Sequence, residues 1–262
     1  MVSMFSLEGK NAAVVGGASG IGEAVATAFA EHGASVLCLD VDIAGALDTA
    51  ATITEMGGEA DAGQLNILDG EAVTAAFESF NVKKGSLDIV VCTPGVNVRK
   101  PILEYTDEDI DRVLGVNLKG NAHVIQAAGR IMTSQGSGSI ILFSSIRSVV
   151  VEPGQSLYAA TKAGIVQMVR AAAAELGPSG VRVNAIAPGV IDTPLTAPIK
   201  DNPAWYSAYA ERNIFKRWAG AREMAGPTVF LASEAASYVT GTVLFADGGW
   251  TAIDGRFTPP GM

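Results

Sequence analysis

Short runs of consecutive apolar residues alternate along the chain with stretches whose apolar positions recur at helical spacing. The runs are Ala12–Val15, Ser35–Leu39, Leu87–Cys92, Ser139–Phe143, Val181–Ile186 and Val243–Ala246, with a weaker one near Ala62–Leu65. A run that is apolar at consecutive positions, rather than at alternate ones, suits a strand covered on both faces. Between the runs, Ile21, Val25, Ala28 and Phe29 share one helical stripe, and Val73, Ala76, Phe77 and Phe80 share another. The spacing predicts long helices over Asp107–Thr133 and Leu157–Leu176. Such alternation predicts right-handed strand–helix–strand crossovers, hence an α/β chain with a doubly wound, mostly parallel sheet and helices on both faces. Asp192–Arg217 breaks the rhythm. Pro194, Pro198 and Pro203 punctuate it, and Trp205, Tyr206 and Tyr209 enrich it in aromatics. It reads as an inserted substrate lid over residues 192–217, within a single domain of residues 1–262. Phe257–Met262, with Pro259 and Pro260, reads as a tail.

The first run leads into Gly16-Gly17-Ala18-Ser19-Gly20-Ile21-Gly22, which opens the first helical stripe. Gly16, Gly20 and Gly22 form G-x-x-x-G-x-G. Glycine allows a tight strand-to-helix turn and lets the backbone approach a pyrophosphate. The helix N-terminus adds free N–H groups and a favourable dipole. A glycine-rich turn also fits a plain connection; its place between the first strand and an amphipathic helix points to a dinucleotide. The second run leads to Asp40, eighteen residues past Gly22. That is near the spacing of a carboxylate that accepts from the adenosine ribose hydroxyls. A carboxylate there repels a 2′-phosphate, and Ala18, Ser19 and Val41 offer that phosphate no cation. The expected cofactor is NAD rather than NADP. Asp42 is the nearest competitor for the role.

Tyr158 and Lys162 stand four apart on a predicted helix and share one face. A nearby ammonium lowers a phenol's pKa. A tyrosine so tuned acts as general base for alcohol oxidation and as general acid for ketone reduction. Exposed helix pairs of this kind are common, so the context decides. Ser144-Ser145 follows the run Ser139–Phe143, at a strand's C-terminal end, where α/β sheets hold their sites. Ser145 precedes Tyr158 by thirteen residues. Asn117 lies inside the long predicted helix, where its modest propensity marks a local role.

Together these features resemble the short-chain dehydrogenase/reductase family over almost the whole chain. The glycine turn, Asn117, Ser145, Tyr158-Ala159-Ala160-Thr161-Lys162, Asn184-Ala185-Ile186-Ala187-Pro188-Gly189 and Asp247-Gly248-Gly249 stand in the family's order and spacing. The resemblance implies a Rossmann domain with seven strands in the order 3-2-1-4-5-6-7. It implies that Tyr158 is the catalytic acid/base and that Lys162 holds the nicotinamide ribose and lowers the pKa of Tyr158. It further implies that Ser145 bonds the substrate oxygen and that Asn117 anchors a water in the proton relay. Cofactor contacts are expected from Gly16, Ser19, Gly20, Ile21, Gly22, Asp40, Asn66, Ile67, Thr93, Gly95, Pro188, Gly189, Ile191 and Thr193, besides Tyr158 and Lys162. Three departures stand out. Val15 replaces the family's threonine, and Cys92-Thr93-Pro94-Gly95 replaces Asn-Asn-Ala-Gly. In the family that threonine supports the Asn-Asn-Ala-Gly segment. The two changes therefore read as one hydrogen-bonded contact replaced by apolar packing. The third is Asn66-Ile67, where the family often has aspartate; an asparagine carbonyl still accepts from an adenine amine.

Charge narrows the partners. The formal net charge of −9 repels nucleic acid and anionic membrane, and suits an acidic acyl carrier protein poorly. Cys38 and Cys92 fall in apolar runs away from any Cys/His cluster, so buried free thiols are expected and no metal site. Met1–Asn11 lacks a signal-peptide pattern and no run is long enough to span a bilayer, which predicts a cytoplasmic protein. With 48% hydrophobic residues in 262, a large core is available.

The substrate is less legible. Arg147, just after Ser145, suits a bidentate grip on a carboxylate, and suits equally a surface arginine paired with Glu152. Arg99 and Lys100 are lesser candidates. Trp205 suits a lid closing on substrate, or a lid's own packing core. Arg217-Trp218, Val229–Ser233 and Leu244–Gly249 resemble the gluconate 5-dehydrogenase-like, sugar-acid and polyol members. The expected activity is NAD-dependent interconversion of a secondary alcohol and a ketone on a polyol, sugar or sugar acid. The rivals are a 3-oxoacyl thioester reductase, a hydroxysteroid dehydrogenase, and a non-catalytic NAD-binding regulator. The last usually lacks part of the Asn-Ser-Tyr-Lys set, which is complete here. A homotetramer is implied by the resemblance.

Overall fold

The computed structural model describes residues 3–253, so the Phe257–Met262 tail lies outside the described residues. In chain order the strands are β1 (Asn11–Val15), β2 (Ser35–Asp40), β3 (Glu59–Gln64), β4 (Ile89–Cys92), β5 (Gly138–Phe143), β6 (Val181–Pro188), β7 (Ile191–Asp192), β8 (Ala219–Gly220) and β9 (Val243–Ala246). Seven of them form one sheet in the order β3-β2-β1-β4-β5-β6-β9. Its last member is ninth in the chain because the two-residue strands β7 and β8 pair apart from it. Every neighbouring pair in the large sheet is parallel. The strand order reverses between β1 and β4, so the crevice at their C-terminal ends is the natural ligand site.

The inner strands are mostly apolar because both faces are covered. On one face α1 (Gly20–Glu31), α2 (Ile43–Glu55) and α9 (Ala225–Ala232) pack Phe29, Ile53 and Val229 against Val14, Cys38 and Ile141. On the other, α3 (Gly70–Lys84), α5 (Asn121–Gln135) and α6 (Ser156–Leu176) pack Phe77, Met132 and Ile165 against Val15, Cys92 and Leu142. Each fully buried side chain of this size contributes about 1.5–3 kcal/mol. Helix starts are fixed locally. Asp42 accepts from Gly45 N at the head of α2, and Asp69 accepts from Glu71 N and Ala72 N at the head of α3.

Two elements differ from the sequence expectation. β3 begins at Glu59 and carries polar, part-exposed residues, because it is an edge strand with a single neighbour. The long helix over Asp107–Thr133 is divided: α4 (Asp107–Leu114) passes through a π-helical turn, Gly115–Gly120, into α5. Residues 192–217 form a 3₁₀ turn at Pro194–Thr196, then α7 (Ala197–Lys200) and α8 (Pro203–Glu211). Among the described residues, no helix is long and apolar enough to cross a membrane.

Candidate active site

The glycine turn is shaped by close approach. A Cβ at Gly22 would collide with the Gly16 carbonyl, and one at Gly16 would lie 2.9 Å from Pro94 Cδ, so neither tolerates a side chain. Gly16 and Gly20 also hold positive φ of 85° and 57°. Ser19 precedes α1 but its side chain makes no cap bond, which leaves first-turn N–H groups of the helix free. Ser19, Gly20, Ile21 and Gly22 line a cavity of about 410 Å³. This cradle, which a single methyl would fill, fits a pyrophosphate.

The rest of that cavity is lined by Asp40, Asn66, Ile67, Thr93, Gly95, Ser145, Tyr158, Lys162, Pro188, Gly189, Ile191 and Thr193. Asp40 spends one lone pair of each oxygen on the backbone, accepting from Ala18 N at 3.1 Å and Asp42 N at 3.0 Å. Ample acceptor capacity remains for a ribose. Asp42 instead caps α2. Asn66 Oδ1 accepts from Leu68 N, and Thr193 packs its side chain on Gly20.

The segment after β4 differs from the expected apolar replacement. Val15 and Cys92 do share the core. A hydrogen bond nevertheless ties the same backbones, made from the opposite side: Thr93 Oγ1 donates to Val15 O at 3.0 Å and Gly16 O at 3.3 Å. The hydroxyl missing at position 15 is supplied by position 93.

Asn117 is 0% exposed and sits in the π-helical turn. Its Oδ1 accepts from Val96 N, and its Nδ2 donates to Val96 O and Thr161 Oγ1, all within 3.0 Å. Its backbone carbonyl accepts from Asn121 Nδ2. The side chain thus fastens the segment after β4 to the helix that bears Tyr158. Thr161 and Ser144 were not singled out in the sequence. Thr161 Oγ1 donates to Tyr158 O, and Ser144 Oγ donates to Lys162 O, so both steady the turn of α6 that carries the pair. The paired serines after β5 were the available signal for Ser144.

Lys162 Nζ donates to Phe143 O at 2.8 Å and lies 5.5 Å from the centre of the Tyr158 ring. Gly95 leaves room for it: a Cβ there would be 3.2 Å from Nζ. Burial pushes the Lys162 ammonium down to about 8. Burial likewise holds the Tyr158 phenol above its ordinary value, opposed by hydrogen bonding from Ser145 and by the charges of Arg147 and Arg99.

Arg147 and Trp205 are not among the residues that line this cavity. Arg147 is no surface arginine; it is 7% exposed and pairs with Glu152. Glu152 also accepts from Arg99 at 2.6 Å and from the Tyr209 hydroxyl at 2.5 Å. Burial raises the Glu152 carboxyl, but Tyr209, Arg147, Arg99 and Gln155 outweigh it and hold the group below its usual range. Arg99 stacks on Trp205 at 5.1 Å. Trp205, Tyr206, Tyr209, Trp218 and Trp250 form one aromatic cluster, with Tyr206 and Trp218 stacked 5.0 Å apart. Lys100 pairs with Asp109.

Comparison with known proteins agrees with this architecture. Residues 16–251 match a family model described as enoyl-(acyl carrier protein) reductase. The chain is 37% identical to the 3-oxoacyl-[acyl-carrier-protein] reductase FabG of Thermotoga maritima, over 93% of this chain and 98% of that one. It is also 37% identical to the L-tagatose-forming galactitol 2-dehydrogenase of Cereibacter sphaeroides, over 95% and 98% respectively. Among solved structures, it superimposes with a TM-score of 0.93 on a gluconate 5-dehydrogenase from Burkholderia cenocepacia in complex with NADP and tartrate. That protein is 32% identical, with 96% of this chain and 99% of the other covered. With the parallel sheet, the glycine cradle and this likeness along nearly its full length, the chain belongs to the short-chain dehydrogenase/reductase family of oxidoreductases.

Proposed function

We propose that this enzyme interconverts a secondary alcohol and a ketone on a polyol, sugar or sugar acid, with NAD as the hydride partner. The observation that carries the reading is one cavity bounded by the glycine cradle and Asp40 at one end and by Ser145, Tyr158 and Lys162 at the other. Bound NAD supplies the nicotinamide carbon that takes up or returns the hydride. In oxidation Tyr158 Oη removes the hydroxyl proton; in reduction it returns one. Ser145 Oγ holds the substrate oxygen, and it already accepts from Arg147 N at 3.1 Å, which fixes its direction. Lys162 Nζ holds the ribose, and Asn117 maintains the wall between the segment after β4 and α6. Asp40 favours an adenosine ribose with free hydroxyls over one bearing a phosphate. The galactitol and gluconate relatives support the substrate class. In this reading residues 192–217 close over the substrate and the enzyme works as a cytoplasmic homotetramer.

The FabG relative favours a second reading, a 3-oxoacyl thioester reductase. The net charge of −9 opposes docking of an acidic carrier. Initial rates with NAD and NADP on polyols, aldonic acids, sugars and hydroxysteroids test the proposal. Turnover with NAD on a polyol, sugar or aldonate is expected, and strong NADP preference overturns it. Tyr158→Phe removes only the hydroxyl and is expected to abolish turnover while NAD still binds.

A further inference from the structure

We infer that Glu152 is a positioning residue that latches residues 192–217 shut: its carboxylate holds the Tyr209 hydroxyl, and through it the lid wall of the cavity, against the loop that bears Ser145. The inference deepens the proposed function and rests on these residues covering the substrate. The lid reaches the cavity through its first turn, where Pro194, Leu195 and Thr196 line the same space as Ser145, Tyr158 and Lys162. Behind that turn, Ile199 of α7 packs with Tyr209 of α8 in one apolar cluster. The cluster ends on a polar contact. The Tyr209 hydroxyl lies 2.5 and 2.6 Å from the two oxygens of Glu152, in the loop between β5 and α6. Among the described residues, no other side chain of α7 or α8 hydrogen-bonds outside residues 192–217; Lys200 and Glu211 pair within them.

Glu152 is fixed from the side of the sheet. Arg99, from the segment after β4, donates to it at 2.6 Å, and Arg147 pairs with it. An ionised carboxylate so held is a stronger acceptor for a phenol than a neutral group. Arg99 also lies 3.5 Å from the Tyr209 hydroxyl and stacks on Trp205 of α8 at 5.1 Å. The peptide N–H of Arg147 donates to Ser145 Oγ at 3.1 Å. One carboxylate thus joins the lid to the segment that aims the serine. The chain's three tryptophans surround this contact: the Tyr209 ring centre lies 6.2 Å from that of Trp205, 5.9 Å from Trp218 and 5.7 Å from Trp250. Intrinsic tryptophan fluorescence therefore reports on the latch and on no other part of the molecule.

The test is Tyr209→Phe in the full-length enzyme, which deletes the hydroxyl and keeps the ring among the tryptophans. Acrylamide quenching of the tryptophans, corrected for lifetime, needs no ligand and is expected to rise above the parent's. In oxidation of whichever panel alcohol turns over fastest, KM for the alcohol should rise about tenfold, the scale of one hydrogen bond to a charged group. The kcat should hold, because the loss falls on closing the lid rather than on the proton transfer. A residue that only supports the fold would lower Tm without that split. Glu152→Gln keeps the shape and should raise KM in the same direction. The double variant should fall short of the product of the two single effects, since both weaken one contact. Unchanged quenching in Tyr209→Phe, an unmoved KM, or single effects that multiply in full overturns the inference. Should Glu152→Gln fail to fold, with two guanidiniums short of their partner, Tyr209→Phe decides alone. Surviving turnover in Tyr158→Phe instead sinks the proposed function and leaves the quenching result standing, so the two failures are distinct.

Discussion

Single residues here act by occupying a space or a bond that nothing else fills. Thr93 shows this most directly. Its hydroxyl satisfies two carbonyls at the head of the glycine turn, and Thr93→Val keeps the shape while deleting the donor. The expected cost is about 1 kcal/mol of stability. That is a fall of about 2–4 °C in Tm for a chain of this size, together with weaker NAD binding by isothermal titration. Gly22→Ala inserts a methyl against the Gly16 carbonyl. A misfit of about 1–3 kcal/mol is expected there, which lowers NAD affinity by about tenfold or more in the same titration. Residue identity alone carried Gly16, Gly20 and Gly22, because the turn demands glycine wherever it occurs. It did not carry Thr93, whose partners are backbone atoms about seventy-eight positions away. Nor did it reveal Arg147 as buried, since its burial comes from Tyr209 and Trp250, far along the chain.

At the scale of elements, periodicity located the strands well because the sheet is parallel and covered on both faces. Their apolar runs need no alternation, and β2, β5 and β9 lie within a residue of expectation. The π-helical turn at Gly115–Gly120 was not legible. It inserts a residue into a helix without changing the polar and apolar pattern enough to register. Its consequence is local: Asn117 faces inward and binds two other segments. Asn117→Ala strands Val96 N, Val96 O and the Thr161 hydroxyl, and a loss of about 2–3 kcal/mol is expected in denaturant unfolding. The segment of residues 192–217 was recognised by its prolines, but its anchor is Trp218, beyond α8. Trp218 Nε1 donates to Tyr206 O and its ring stacks on Tyr206. Trp218→Ala should cost about 3 kcal/mol or more. Limited proteolysis should then cut within residues 192–217 sooner than in the sheet domain, and an unchanged cleavage pattern counts against an anchoring role.

For the whole molecule, the two cores place titratable groups where pH acts on stability. Cys38 and Cys92 are both pushed up from 9.0 to about 12 by burial. Between these values the unfolded chain releases the thiol protons and the native chain keeps them, so stability falls as pH rises above 9. Each thiol contributes about 1.4 kcal/mol of loss per pH unit in that window. Lys162 works in the opposite sense. Its native value of about 8 lies below the ordinary 10.5. The unfolded chain therefore holds the extra proton, and stability gains between those two values as pH rises. Thermal unfolding against pH should show a shallower decline above pH 9 in Cys38→Ala than in the parent. The fold class was visible in the sequence because layering follows from patterning. Which layer holds which side chain was not, since that depends on register. Adjacent Val14 and Val15 point to opposite sides of the sheet, and Cys38 and Cys92 follow them into separate layers. Each thiol is thus a built-in reporter of its own half of the interior. The rate at which a thiol reagent labels one and then the other, under native conditions, measures whether the two halves breathe in concert or independently.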